Sequence, residues 1–381
     1  METNLQTSAV MQKTVLITGG AGFVGSFVGE ELLNASYRVR AFDFLDPQVH
    51  QGAVRPDYLH PDIEFIHGDI RDAEAIRGAL QGLDAVFHLA ALVGVGQSMY
   101  QIERYTSVNN VGTAVLLEAL IENPVEKLVV ASSMSIYGEG LYQNAGGECV
   151  DGTERTLAQL QAHEWELSDE NGALLQPVPT PESKTPALSS VYALSKYDQE
   201  RLCLIAGRAY GFDATALRFF NIYGPRQALS NPYTGVLAIF ASRYLNNRAP
   251  LINEDGYQQR DFVHVTDVAR ACRLALEEPK AAGEVFNIGS GVARTVREIA
   301  RELAIALDKR DIEPQIVGKY RAGDIRHCFA DISKAREVLG YQPQVELQNG
   351  LCELAGWLEG QVAVDSVEAA QSELAARGLT L

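Results

Sequence analysis

Tyr192 and Lys196 frame the run Tyr-Ala-Leu-Ser-Lys. Residues four apart share one face of a helix, so this spacing sets an ammonium beside a phenol. A free tyrosine titrates near ~10, too high for a base at neutral pH. A neighbouring cation lowers that by about 1–3 units. The pair therefore suits acid–base work on a hydroxyl. Taken alone the pattern is common, and a solvated helix face explains it better.

A second group lies far upstream. Residues 18–25 read Thr-Gly-Gly-Ala-Gly-Phe-Val-Gly. Gly20, Gly22 and Gly25 fit one glycine fingerprint, and Gly19, Gly22 and Gly25 fit another. Glycines are needed there for a tight turn, for close approach of backbone to a pyrophosphate, and for helix–strand contact. Asp43 follows about 18 residues after the last glycine, where a carboxylate accepts bonds from an adenosine ribose and repels a 2′-phosphate. The combination points to NAD rather than NADP. Arg38 and Arg40 fall inside the second strand and read as a solvated edge.

The elements that must carry these groups are legible. Thr14–Thr18 (TVLIT) is short and nearly all apolar, as in a strand buried on both faces of a parallel sheet. A helical stretch runs from Phe23 to Asn34. Further strands read at Arg38–Phe42, Ile63–His67, Ala85–Leu89, Leu128–Ser132 and Asp213–Phe219. Strand and helix alternate, which predicts an α/β fold with a doubly wound parallel (Rossmann) sheet. The expected layout is a dinucleotide-binding domain over 13–220, a smaller C-terminal lobe over 221–355 and a tail over 356–381. Within the first domain, Glu139 to Thr185 shows little strand pattern and many polar residues, an insert of unassigned role.

Composition excludes several classes. The chain has 381 residues, a net charge of −17 and a pI near 4.9, without the basic stripe of a nucleic-acid binder. Five scattered cysteines, none in C-x-x-C spacing, argue against a zinc site or a disulfide framework and fit a reducing cytoplasm. No apolar run reaches the ~20 residues of a membrane span. The N-terminus is polar and lacks the apolar core of a signal peptide.

With these pieces in place, the sequence resembles the extended short-chain dehydrogenase/reductase family, and within it the nucleotide-sugar epimerases and dehydratases. The matching runs are TGGAGFVG, GDIRD from Gly68, HLAALVGVGQS from His88, VNNVGT from Val108, SSMSIYG from Ser132, YALSK, LRFFNIYGPRQ from Leu217, QQRDFVHVTDVA from Gln258, FNIGSG from Phe286 and RAGDIRH from Arg321. They span about Thr14 to Leu354. The resemblance implies NAD as cofactor, held by Gly19, Gly22, Phe23, Val24, Gly25, Asp43, Asp69, Ile70, Leu89, Ala90, Ala91, Asn109, Tyr192, Lys196 and Phe220. It implies Tyr192 as acid/base, Lys196 as its partner and Ser133 as the hydroxyl that orients the substrate. Ser133, Ser135, Asn221, Val236, Arg260, Arg321, Asp324 and Cys328 would meet a UDP- or dTDP-sugar. A guanidinium fork suits a diphosphate; the pair Arg260–Asp261 also reads as a plain salt bridge.

Dehydratases of the family carry an acidic residue at the position of Ser135, which weakens that reading and favours a 4-epimerase. A dehydratase, decarboxylase or 4-ketoreductase on the same fold is the alternative, and a non-catalytic NAD-binding regulator a more remote one. The runs YGEGLY, HEWEL and PVPTPE resemble the branch that includes dTDP-L-rhamnose 4-epimerases and UDP-glucose 4-epimerases. That branch often has cysteine pairs in the insert. Here Ser168 to Gly172 holds none, so no metal is expected. The resemblance further implies a homodimer paired through the helix after Asn109 and the helix carrying Tyr192.

Overall fold

The computed structural model describes residues 12–50, 52, 54–229, 231, 235–320, 324–361, 365 and 367–380. Seven parallel strands form the main sheet: β1 (Thr14–Thr18), β2 (Arg38–Asp43), β3 (Glu64–His67), β4 (Ala85–His88), β5 (Lys127–Ser133), β6 (Asp213–Phe219) and β7 (Val285–Ile288). Their spatial order is β7-β6-β5-β4-β1-β2-β3. The order reverses between β1 and β4, and in such sheets ligands bind outside the carboxyl ends of the strands at that point.

The sheet is buried on both faces. Val15 and Ile17 of β1 pack into one core with Val129 of β5, whereas Leu16 packs into the opposite core with Leu128 and Val130. That alternation is the two-residue period of a pleated strand. The helices that matter for the site are α1 (Phe23–Asn34), α2 (Gly112–Glu122) and α3 (Val191–Tyr210). α3 starts where the Ser190 hydroxyl accepts the Ala193 N–H, and stops at Gly211, whose φ of +81° suits glycine.

The strands expected from the sequence are present, and β7 is one the sequence reading missed. After Asn221 the chain builds a smaller sheet from Asn221–Tyr223, Gln259–His264, Ala293–Thr295 and His327–Cys328. Its own core includes Phe240, Tyr244, Leu303 and Leu354. β7 returns to the main sheet from within this stretch. One helix of the second lobe, α4 (Val236–Leu245), begins at the cleft between the lobes.

Two segments depart from expectation. The insert is not strandless: Leu141–Gln143 pairs antiparallel with Cys149–Asp151 and Gln176–Val178 around Tyr142, Leu167 and Leu175. Strands of three residues are too short for an alternating pattern to register. Backbone hydrogen bonds such as Gly140 N–H to the His327 carbonyl hold it to the second lobe, and ion pairs add to that grip. Arg326, wholly buried, pairs with Glu166, Glu254 and Asp255, and Arg155 pairs with Glu254 at 2.9 Å. The tail helix α5 (Val367–Ala376) docks on both lobes. Arg243 of α4 reaches Glu368 at 3.0 Å, while Tyr100 of the first lobe bonds Glu373 at 3.3 Å and lies under Arg377. No helix among the described residues is long and apolar enough to cross a membrane.

Candidate active site

β1 ends at Thr18 and the chain turns at once. Gly19 has φ +73°, and a Cβ there would sit 2.9 Å from the Ala90 nitrogen. A Cβ on Gly25 would lie 2.2 Å from the Gly19 carbonyl oxygen. Gly22 caps α1 without a side-chain hydrogen bond, so the first N–H groups of the helix stay open. Gly19, Gly22 and Gly25 line the cleft, whereas Gly20 packs against Ala41. The Gly19 spacing is thus the one that faces a ligand.

That cleft has a volume of about 690 Å³ and runs across the switch point. Asp43 lines it at the end of β2, accepting the Ala21 N–H at 3.1 Å and the Leu45 N–H at 2.9 Å. Phe23, Val24, Asp69, Ile70, Leu89, Ala90, Ala91 and Phe220 line it too. Arg71 grips Asp69 from beside it and holds that carboxyl below the usual range. Arg40 instead bonds Glu64 and the Ala79 carbonyl, away from the cleft. A turn that only glycine fits, an open helix N-terminus and a carboxylate across from it fit a dinucleotide. Asn109 is not among the residues that line the cleft. It is fully buried, and its amide holds Leu92 and the Ser195 hydroxyl instead of facing the cleft.

Tyr192, Lys196 and Ser133 all line the cleft. Ser133 ends β5, where its hydroxyl accepts from both the N–H and the hydroxyl of Ser135. Burial raises the Tyr192 phenol, and its hydrogen bond with Ser133 opposes that. The Lys196 ammonium donates to the Gln199 side-chain oxygen at 2.5 Å, and burial lowers it to about 8. The protein alone therefore does not depress the phenol as the four-residue spacing suggests. Burial outweighs the Ser133 hydrogen bond, and the Lys196 ammonium bonds Gln199 instead. Ser132 is committed to structure, bonding Glu200 at 2.7 Å.

The substrate-side expectations divide. Ser135, Asn221 and Val236 line the cleft; Arg260, Asp324 and Cys328 do not. Arg260 donates to the carbonyls of Gln259, Ile325 and Arg326, so it braces the 325–326 segment. It does not pair with Asp261, which accepts from Ser290 and Gly291. Asp324 offers its carbonyl to Arg155. Cys328 is buried near Thr180. Arg321 lies outside the described residues.

The sequence matches the NAD-dependent epimerase/dehydratase family over residues 15–159 and 169–289. The chain belongs to this family. It is 37% identical to the dTDP-L-rhamnose 4-epimerase of Burkholderia thailandensis, over 93% of this chain and 97% of that one. The UDP-glucose 4-epimerase of Thermotoga maritima, solved with UDP-glucose, superposes with a TM-score of 0.74 at 32% identity, covering 91% of this chain and 98% of the other. The Thermus thermophilus UDP-glucose 4-epimerase complex with NAD gives 0.72 at 29% identity, covering 92% and 100%.

Within this family member, sequence reasoning missed a buried polar row beneath the cleft. Gln199 donates to Thr113 Oγ1 at 2.8 Å and lies 3.1 Å from His88 Nε2. His88 Nδ1 meets Thr18 Oγ1 at 2.8 Å. The available signals were a histidine inside an apolar strand and a glutamine three residues after Lys196. Among the described residues no group of three or more His, Cys, Asp or Glu side chains is placed to hold a metal.

Proposed function

We propose that the chain is an NAD-dependent nucleotide-sugar 4-epimerase acting through a transient 4-keto sugar. The observation that carries this is the convergence of Tyr192, Ser133 and Lys196 on the cleft that the glycine turn opens, with no carboxylate at Met134 or Ser135. Ser135 brings a hydroxyl where elimination of water needs an acid.

Gly19, Gly22 and the N–H groups of α1 hold the pyrophosphate, and Asp43 accepts from the ribose hydroxyls. Phe23, Val24, Asp69, Ile70, Leu89, Ala90, Ala91 and Phe220 complete the cofactor wall. NAD, when bound, supplies the hydride acceptor, then the donor, and a positive ring that favours phenolate. Tyr192 Oη takes the proton of the sugar C4 hydroxyl and later returns it. Lys196 holds positive charge near that oxygen, and Ser133 orients the sugar oxygen by a hydrogen bond. Between the two proton transfers the 4-keto sugar turns its other face. A cleft lined there by Met134 and Phe220, which offer no side-chain donors, leaves it free to do so.

The substrate is a UDP- or dTDP-sugar, in keeping with the relatives' names. Its diphosphate lies at the α4 N-terminus, where Gly235 provides no side-chain cap and Val236 faces the cleft. Asn221 contacts it from the facing strand. Arg260 serves from behind, by fixing the segment that leads to Asp324. The exposed side chains of Val111 and Ile121 on or beside α2, and of Leu194, Leu202 and Ile205 on α3, support a homodimer through these helices. Five free thiols fit a cytoplasmic protein. A panel of UDP-, dTDP- and GDP-sugars followed by NMR tests the reading: a C4 epimer supports it, and a 6-deoxy-4-keto product overturns it.

A further inference from the structure

Lys196 is buried at the base of the cleft, and a buried ammonium needs acceptors. Its hydrogen bond to protein goes to Gln199, one turn further along α3. Gln199 is itself without solvent exposure, and its amide is fully used. The oxygen faces the ammonium; the nitrogen donates to Thr113 on α2 and approaches His88 on β4. The reverse orientation would set an NH₂ group against an ammonium, so the lysine fixes which way the amide points.

The row continues to the switch point. Thr18 and His88 are register partners at the carboxyl ends of β1 and β4. Their side chains bond at 2.8 Å, and Thr18 Oγ1 also accepts the Ala90 N–H at 3.3 Å. Thr18 immediately precedes the glycine turn, and Ala90 is the residue that Gly19 nearly touches. Thr113 in turn donates to the Asn109 carbonyl at 2.5 Å. Burial and the nearby Lys196 charge hold His88 down to about 3, so it stays a neutral link. The same set of groups therefore defines the position of Lys196, the floor of the glycine turn and the loop after β4.

We propose that Gln199 is a positioning residue for the reaction: its oxygen fixes the Lys196 ammonium and its nitrogen ties that lysine, through Thr113 and His88, to the strand ends that carry the dinucleotide turn. The inference rests on the 4-epimerase reading for its kinetic consequences, but not for its structural ones. Gln199 acts through Lys196. The charged and titratable groups that act on that lysine are Glu200 and Cys203 on α3 and His88 on β4, and Tyr192 lines the same cleft. Glu200 is already bound to Arg218 and Ser132, which leaves Gln199 as the neutral acceptor that keeps the ammonium in place.

The test compares Gln199→Met, similar in volume but without an acceptor, with Gln199→Glu, which keeps one. In the full-length protein with its bound nucleotide, Gln199→Met lowers kcat by about tenfold or more, leaves KM within about twofold, and moves the alkaline limb of activity to lower pH by about one unit, since a lost bond to a charged group is worth that much. Gln199→Glu moves the limb to higher pH. A structural role alone lowers stability in both variants and leaves the limb where it was. The Lys196 titration is also read directly by nitrogen-15 NMR of lysine-labelled protein, assigned with Lys196→Met. That reading needs no sugar, so a wrong substrate class and a wrong role for Gln199 give different results. If Gln199→Met fails to fold, Gln199→Glu decides. An alkaline limb and a Lys196 titration unmoved in either folded variant overturn the proposal.

Discussion

The Asp43 carboxylate accepts the backbone N–H of Ala21 at 3.1 Å, so the acid that closes β2 is fastened to the glycine turn that follows β1. Its other oxygen accepts from Leu45, and Tyr58 bonds the Ala21 carbonyl at 2.7 Å. The carboxylate is therefore held still at the cleft wall, where a 2′-phosphate would meet a fixed negative charge. Protein purified without added cofactor is expected to release NAD on denaturation. Asp43→Asn, which keeps the shape and removes the charge, should reduce the preference for NAD over NADP by on the order of tenfold. Chromatography of the released nucleotide and titration of both cofactors measure it. An unchanged preference would remove Asp43 as the discriminator.

Lys196 gives opposite pH signs for activity and stability. Burial lowers it from 10.5 to about 8 in the folded chain. Between those values the unfolded chain binds more protons, so stability rises with pH through that window. The cost of the buried charge is full below about 8 and relieved above it. Activity is expected to fall as the ammonium is lost, with its alkaline limb near about 8. The expected observation is a rise in the urea midpoint of wild type relative to Lys196→Met above pH 8, while kcat declines.

Arg326 joins the insert to the second lobe without any exposure of its own. Removing one partner of a buried ionic group strands the others. Arg326→Met should cost about 3–5 kcal/mol, read by urea unfolding, and limited proteolysis should cut first within residues 139–185. Glu166 is more than a third exposed, so Glu166→Gln should cost clearly less.

How much of this was legible in the sequence depends on burial and length. β1 and β5 are read directly, because strands covered on both faces are apolar runs. β7 has four residues inside an irregular stretch, and the insert strands have three each, so neither shows a period. The glycine run admitted two spacings, and they are separated only by the placement of Gly19 at the cleft and of Gly20 against Ala41. Arg260 and Asn109 were assigned by motif to ligand contacts. The structure spends their donors on backbone and on Ser195, which no spacing rule conveys. Gln199 went unread because its partners Thr113 and His88 are distant in sequence.

The proposed dimer face gives a separate expectation. Leu194 and Ile205 are 48% and 47% exposed on α3. Leu194→Asp combined with Ile205→Asp should convert a dimer into a monomer of 41.5 kDa by light scattering, with the bound nucleotide retained. A wild-type monomer would reject this pairing.

On the proposed mechanism, hydride leaves C4 and returns to C4 under the control of Tyr192. The most direct measurement supplies a UDP- or dTDP-sugar deuterated at C4, without added NAD, and follows it by NMR. The expected product is the 4-epimer with its deuterium retained at C4, and none forms with Tyr192→Phe, whose nucleotide content matches wild type. A 6-deoxy-4-keto product, loss of the label to solvent, or undiminished turnover by Tyr192→Phe would contradict that mechanism.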